Sequence, residues 1–217
     1  SIKDSTPPIP KKIILNNLNK DSFINSIPIT QEFDLIKISD YEYVVSDIIS
    51  VSGEIGISTE IYDKIDGQPF NFGLYKIKLE IDSTTIYQAE YNHINFNEGY
   101  KVFCERDYGK YNFERKKVYS LYKKNNYEPS SFVMSIPIEK IIFNDRDYHK
   151  CIVTASDFND NEIKIHFNLL ASENKNATIN FKSDEDGWLI ESDDDRLASV
   201  NIYFVNDFDE DIELLDI

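Results

Sequence analysis

Apolar and polar residues alternate with period two along much of the chain. Ile55, Ile57, Thr59 and Ile61 fall on one face of a strand, with Glu54, Ser58 and Glu60 on the other, because successive strand side chains point to opposite faces. Tyr75, Ile77, Leu79 and Ile81 alternate with Lys76, Lys78, Glu80 and Asp82 in the same way, and Tyr87, Ala89 and Tyr91 with Gln88, Glu90 and Asn92. Later, Cys151, Val153 and Ala155 alternate with Ile152, Thr154 and Ser156. Ile163, Ile165, Phe167 and Leu169 then alternate with Glu162, Lys164, His166 and Asn168. Turn-forming residues separate these runs: Asp66-Gly67, Asn97-Glu98-Gly99, Asn144-Asp145 and Asn159-Asp160-Asn161. Such residues tolerate left-handed backbone angles or bond to their own main chain. The pattern predicts an all-β fold, an antiparallel β-sandwich. The one helical candidate, Tyr111 to Lys124, reads equally as a strand.

Prolines and polar runs divide the chain. Pro7, Pro8 and Pro10 mark residues 1–12 as a semi-rigid leader. Residues 13–170 form the predicted sandwich with a long inserted segment, 171–177 (ASENKNA) a linker, and 178–217 a short β-rich tail, which either packs back or opens a second domain. The start, SIKDSTPPIPKK, has no Met and no apolar signal core, and reads as a chain picked up midway.

Charge narrows the partners. The 217 residues carry a net charge of −16 and 41% hydrophobic residues, enough for a core but wrong for a phosphate backbone, which needs a basic surface. No run reaches the roughly 18 apolar residues of a membrane span. Nucleic acid and membrane insertion are excluded as expectations. Cys104 and Cys151 set no disulfide framework, and whether they pair stays open.

One basic and aromatic island stands out. Tyr111, Phe113, Tyr119 and Tyr122 interleave with Arg115, Lys116 and Lys117. Aromatic faces stack on sugars and lysines meet acidic polymers, so these are the candidate binding residues; the competing reading pairs the lysines with the protein's own acids. Asp184, Asp186 and Glu191 form the densest acid cluster and are the candidate calcium ligands, against a solvated face. No other cofactor is expected. Asp157, Asn159 and Asn161 match the first three positions of a calcium loop, but Glu162 and Asn168 stand where Gly and Glu belong, so a hairpin turn is expected. Asp63 and Asp66 beside Gly67 read as a loop at a strand end. His149 and Cys151 share a strand face but lack further zinc ligands.

The stretch GEIGISTEIYDKIDGQPFNFGLYKIKLEIDSTTIYQ resembles the Ig-like β-rich region that follows the catalytic domain in large exported lysostaphin-type zinc endopeptidases of Bacteroidota and related bacteria. Tyr62, Asp63, Gly73, Leu74, Tyr75 and Asp82 match its pattern, with Ser83 in place of the usual Gly. FERKKVYSLYKKNNYEPSSF occupies the place of a basic-aromatic insert. HKCIVTASDFNDNEIKIHF is similar to the closing hairpin, with Asp160 where Gly is usual. The resemblance, over roughly Pro8 to Leu170, implies an Ig-like sandwich in an exported, periplasmic or cell-surface protein. The family's zinc motifs, His-x-x-x-Asp and His-x-His, are not matched by His93, His149 or His166. The resemblance therefore implies a non-catalytic accessory region that positions or anchors a neighbouring domain, with cell-wall glycan as a further partner. A stand-alone adhesion or glycan-binding module, or a subunit of a surface appendage, is the alternative.

Overall fold

Each of the alternating segments is a strand in the structure. The computed structural model describes residues 4–92, 97, 101, 105–124, 133–135, 140–172, 179–184, 187–192, 202–203 and 214–215. The chain divides into two units, Ser1–Asn174 and Lys175–Ile217. The first unit contains β1 (Ile9–Asn17), β2 (Phe23–Ile24), β3 (Gln31–Asp34), β4 (Ile36–Lys37), β5 (Glu42–Tyr62), β6 (Lys76–Ile81) and β7 (Thr84–Glu90). A short helix α1 (Tyr108–Glu114) follows, then β8 (Val118–Ser120), β9 (Val133–Ser135), β10 (Ile142–Phe143), β11 (Tyr148–Ser156) and β12 (Glu162–Ala171). The second unit holds two hairpins, β13 (Ile179–Asp184) with β14 (Gly187–Ser192) and β15 (Ile202–Tyr203) with β16 (Leu214–Leu215).

The protein is β-rich. One hydrogen-bonded sheet runs in the order β3-β1-β5-β12-β11-β6-β7-β9, with β2, β4, β8 and β10 also pairing with β5. It is mixed, which departs from the antiparallel expectation: β12 lies parallel to the first half of β5, Lys164 opposite Glu42 and Ala171 opposite Val51. The second half of β5 pairs antiparallel with β1 and β8. Between the halves stands Gly53, with φ +80, where a Cβ would lie 2.8 Å from both Asp21 O and Ser22 Oγ. Only glycine combines that backbone angle with that close approach.

The core lies on one side of these strands. One row across the sheet reads Tyr87, Leu79, Val153, Ile165 and Tyr43, and its first four members are buried. Ile13, Leu15, Ile57 and Ile61 join the same cluster from β1 and β5. Each such side chain contributes on the order of 1.5–3 kcal/mol by leaving water. No helix among the described residues is long and apolar enough to cross a membrane.

The segment read as helix or strand is both in succession. Asp107 caps α1 by accepting the Lys110 N–H at 2.9 Å. Arg115 ends the helix in the left-handed region at φ 59, and Val118 to Ser120 then pair with β5.

Candidate functional site

Because each strand alternates, the row beside the apolar one is polar and faces outward. It reads Gln88, Lys78, Thr154, Lys164 and Glu42, one residue from each of β7, β6, β11, β12 and β5. Lys76, Ser156 and Glu162 flank it on one side, and Glu80, Ile152 and His166 on the other. Together these residues line a concavity of about 420 Å³, as expected where a sheet twists across several strands. Five strands spaced about 4.8 Å apart make the row roughly 19 Å long.

The chemistry of this face is balanced. Three lysines and three glutamates line it on a chain of net charge −16. Lys78 pairs with Glu80 at 3.0 Å, Lys164 with Glu162 at 3.7 Å, and Lys76 with Glu90 at 3.6 Å. Surface pairs of this kind contribute only about 0–1 kcal/mol, so an incoming charged group can replace them at small cost. Among the described residues no Phe, Tyr or Trp lines the concavity, so recognition here rests on hydrogen bonds and charge. The alternation already puts Lys76, Lys78 and Glu80 on one face; what it lacks is the strand order that sets them beside Thr154 and Lys164.

The basic-aromatic residues do not form one surface. Tyr119 is 1% exposed, its hydroxyl accepts the Leu74 N–H at 3.0 Å, and Arg106 stacks 4.9 Å above its ring. Tyr122 is half-buried, its ring lying where a Cβ on Gly56 would come within 2.7 Å. Tyr111 and Lys117 are half-buried, with the Lys117 ammonium 6.0 Å from the Tyr111 ring centroid. Burial, then the nearby Arg106, lowers the Lys117 pKa. Lys116 pairs with Glu114, and Lys110 with Glu32. The Glu32 carboxyl is held at about 2 by hydrogen bonds from Lys110 and then Lys12. Phe113, 83% exposed, and Arg115 are the members that face solvent.

The other candidates fall as follows. Asp184 and Glu191 sit on the β13–β14 hairpin, Asp184 opposite Gly187 and Glu191 opposite Asn180; four residues of strand, about 13 Å, separate those positions. Asp186 lies outside the described residues, as do Cys104 and His93. Cys151 is a buried free thiol whose pKa desolvation pushes far up. His149 bonds Asp82 at 2.7 Å and Asp145 at 3.1 Å. Asp157 closes the β11–β12 turn, its Oδ1 accepting from the N–H groups of Asn159 and Asn161 at 2.8 and 2.9 Å. Asp66 accepts from the hydroxyls of Thr6 and Ser5 and from the Ser5 main-chain N–H, which lowers its pKa. Comparison of the chain with protein-family models, curated proteins and solved structures finds no match.

Proposed function

We propose that the chain is a non-catalytic accessory module of a longer exported protein, which holds a polar polymer on the outer face of β7, β6, β11, β12 and β5. In doing so it positions or anchors a neighbouring domain at the cell envelope. The observation that carries this reading is the row Gln88-Lys78-Thr154-Lys164-Glu42 and its concavity. A face with both charge signs, an amide and a hydroxyl suits a ligand with the same mixture. Peptide-bearing cell-wall glycan has that chemistry: carboxylates, ammonium groups, amides and sugar hydroxyls. The likeness to an Ig-like region beside a lysostaphin-type catalytic domain belongs to this proposal and supports the same location.

The test is a titration of soluble peptidoglycan fragments into the isotope-labelled protein. Shifts should cluster on the five-strand face, and replacing Lys78 and Lys164 together by Glu should weaken binding at least tenfold with the circular dichroism unchanged. Wild-type affinity in that double variant would sink the proposal. Added zinc should produce no hydrolysis of the fragments.

A second reading rests on Phe113 and Arg115, an exposed aromatic beside an exposed cation. A glycan-binding or adhesion module using them would lose binding on Phe113→Ala while the Lys78/Lys164 variant kept it.

A further inference from the structure

Three carboxylates meet where the segment that precedes β1 reaches the ends of β5 and β11. Asp4 precedes β1, Asp63 directly follows β5, and Asp157 directly follows β11. Each offers one oxygen within 4.8 Å of the other two. Asp63 is 5% exposed and Asp157 2% exposed.

A group of acids alone is ordinary on an acidic protein. What sets this one apart is that Asp63 Oδ1 is buried without a hydrogen-bond partner. A buried carboxylate oxygen left that way costs free energy that native proteins avoid. Its neighbours are arranged differently. Asp157 takes three hydrogen bonds from Asn159 and Asn161, and Asp4 Oδ1 accepts the Thr6 N–H at 3.1 Å and the Asp66 N–H at 3.3 Å. Those bonds hold two carboxylates in place against the third, and among the described residues no basic side chain pairs with any of the three. Desolvation and then the charges of Asp157 and Asp4 raise the Asp63 pKa to about 7. The site calls for a positive charge.

We propose that Asp4, Asp63 and Asp157 bind one divalent cation, and that the ion is calcium. Oxygens within 4.8 Å of one another fit around a single Ca²⁺, whose ligands at about 2.3–2.6 Å lie at most about 5 Å apart. Three carboxylates drawn from three separate segments suit the larger, irregular calcium shell, whereas Mg²⁺ keeps several waters and takes one or two carboxylates. Three aspartates supply three to six oxygens by binding through one or both, and water reaches the partly exposed Asp4 side to complete the shell. The ion ties the segment before β1 to two loops distant in sequence. Asp157 thus serves as a ligand without the twelve-residue loop that its local sequence lacks.

Thermal unfolding of the full chain, first in chelator and then with calcium to about 10 mM, tests the proposal. For a site of about 0.1 mM, the affinity range of extracellular calcium modules, the midpoint should rise by about 5–10 °C. Asp63→Asn keeps the shape of the site and removes its charge, so it should abolish the shift while raising the calcium-free midpoint. Asp160→Asn changes an exposed acid of the same turn and should keep the shift. Absence of a calcium shift in the wild type overturns the proposal, and so does a full shift in Asp63→Asn. An equal shift with magnesium overturns the assignment to calcium. A midpoint that ignores calcium but climbs between pH 8 and pH 5 means that the trio holds a proton instead.

Discussion

Ser83 and Asp160 hold backbone angles that glycine adopts at least cost. Ser83 has φ 67 and Asp160 φ 63, in the left-handed region that side chains with a Cβ resist. Asp82 and Ser83 form the two-residue loop between β6 and β7, both with positive φ, the requirement of a type I′ hairpin turn. Ser83→Gly should therefore stabilise the protein by about 0.5–1 kcal/mol, read as a shift in the urea midpoint at constant slope. His149 provides a pH-dependent contrast at the same hairpin. Burial opposes its charge, but hydrogen bonds to Asp82 and Asp145 outweigh burial and raise its pKa. Its folded pKa lies above the unfolded one, so the stabilisation is complete below about 6.5 and is lost as pH rises through the folded value. His149→Gln should accordingly destabilise by roughly 1–2 kcal/mol at pH 5 and much less at pH 9, measured by urea unfolding at both pH values. Asp63 has the same sign: with its pKa raised from 3.8 to about 7, the calcium-free protein should lose stability as pH climbs from 4 to 8.

The strands that alternate most cleanly, β6, β7, β11 and β12, were readable from sequence almost to their ends, because one face of each is buried against a single core. β5 was not readable as a whole. The sequence shows its second half from Glu54, but its first half has Ser46, Asp47, Ile48 and Gly53, a pattern that breaks alternation. That half is a strand because β12 pairs with it, a tertiary cause that no local window contains. The basic-aromatic segment misleads for a related reason. Its tyrosines suggest a surface, yet Tyr119 is buried with its hydroxyl on the Leu74 N–H and Tyr122 packs over Gly56, both partners far away in sequence. Gly56→Ala drives a Cβ within 2.7 Å of the Tyr122 ring and should cost about 1–3 kcal/mol by overpacking. Replacing Tyr122 by Ala in the same chain should recover part of that loss, and a double-mutant cycle of unfolding free energies measures the coupling.

At the scale of the molecule, class was legible and convergence was not. Composition and period two sufficed for a β-rich protein, while the parallel pairing of β5 with β12 and the meeting of Asp4, Asp63 and Asp157 depend on strand order. Charge signs along the outer face were visible one strand at a time; their assembly into one row needed the register. The same order bears on appendage assembly. β3, at one end of the sheet, is four residues long and carries Glu32 and Asp34, features that discourage strand-to-strand growth. Light scattering of the purified chain should show no concentration-dependent filaments.

The partnership of β5 with β12 also sets a timetable for biosynthesis. Lys164 pairs with Glu42, so the early half of β5 emerges from the ribosome about 120 residues before its neighbour, a wait of roughly 6–25 s at ordinary translation rates. Throughout that interval Val45, Ile49 and Val51, all buried in the finished sheet, have no β12 to cover them. A nascent chain halted before Glu162 should engage holdase chaperones and resist digestion poorly, whereas one halted beyond Asn174 with the exit tunnel cleared should become protease-resistant.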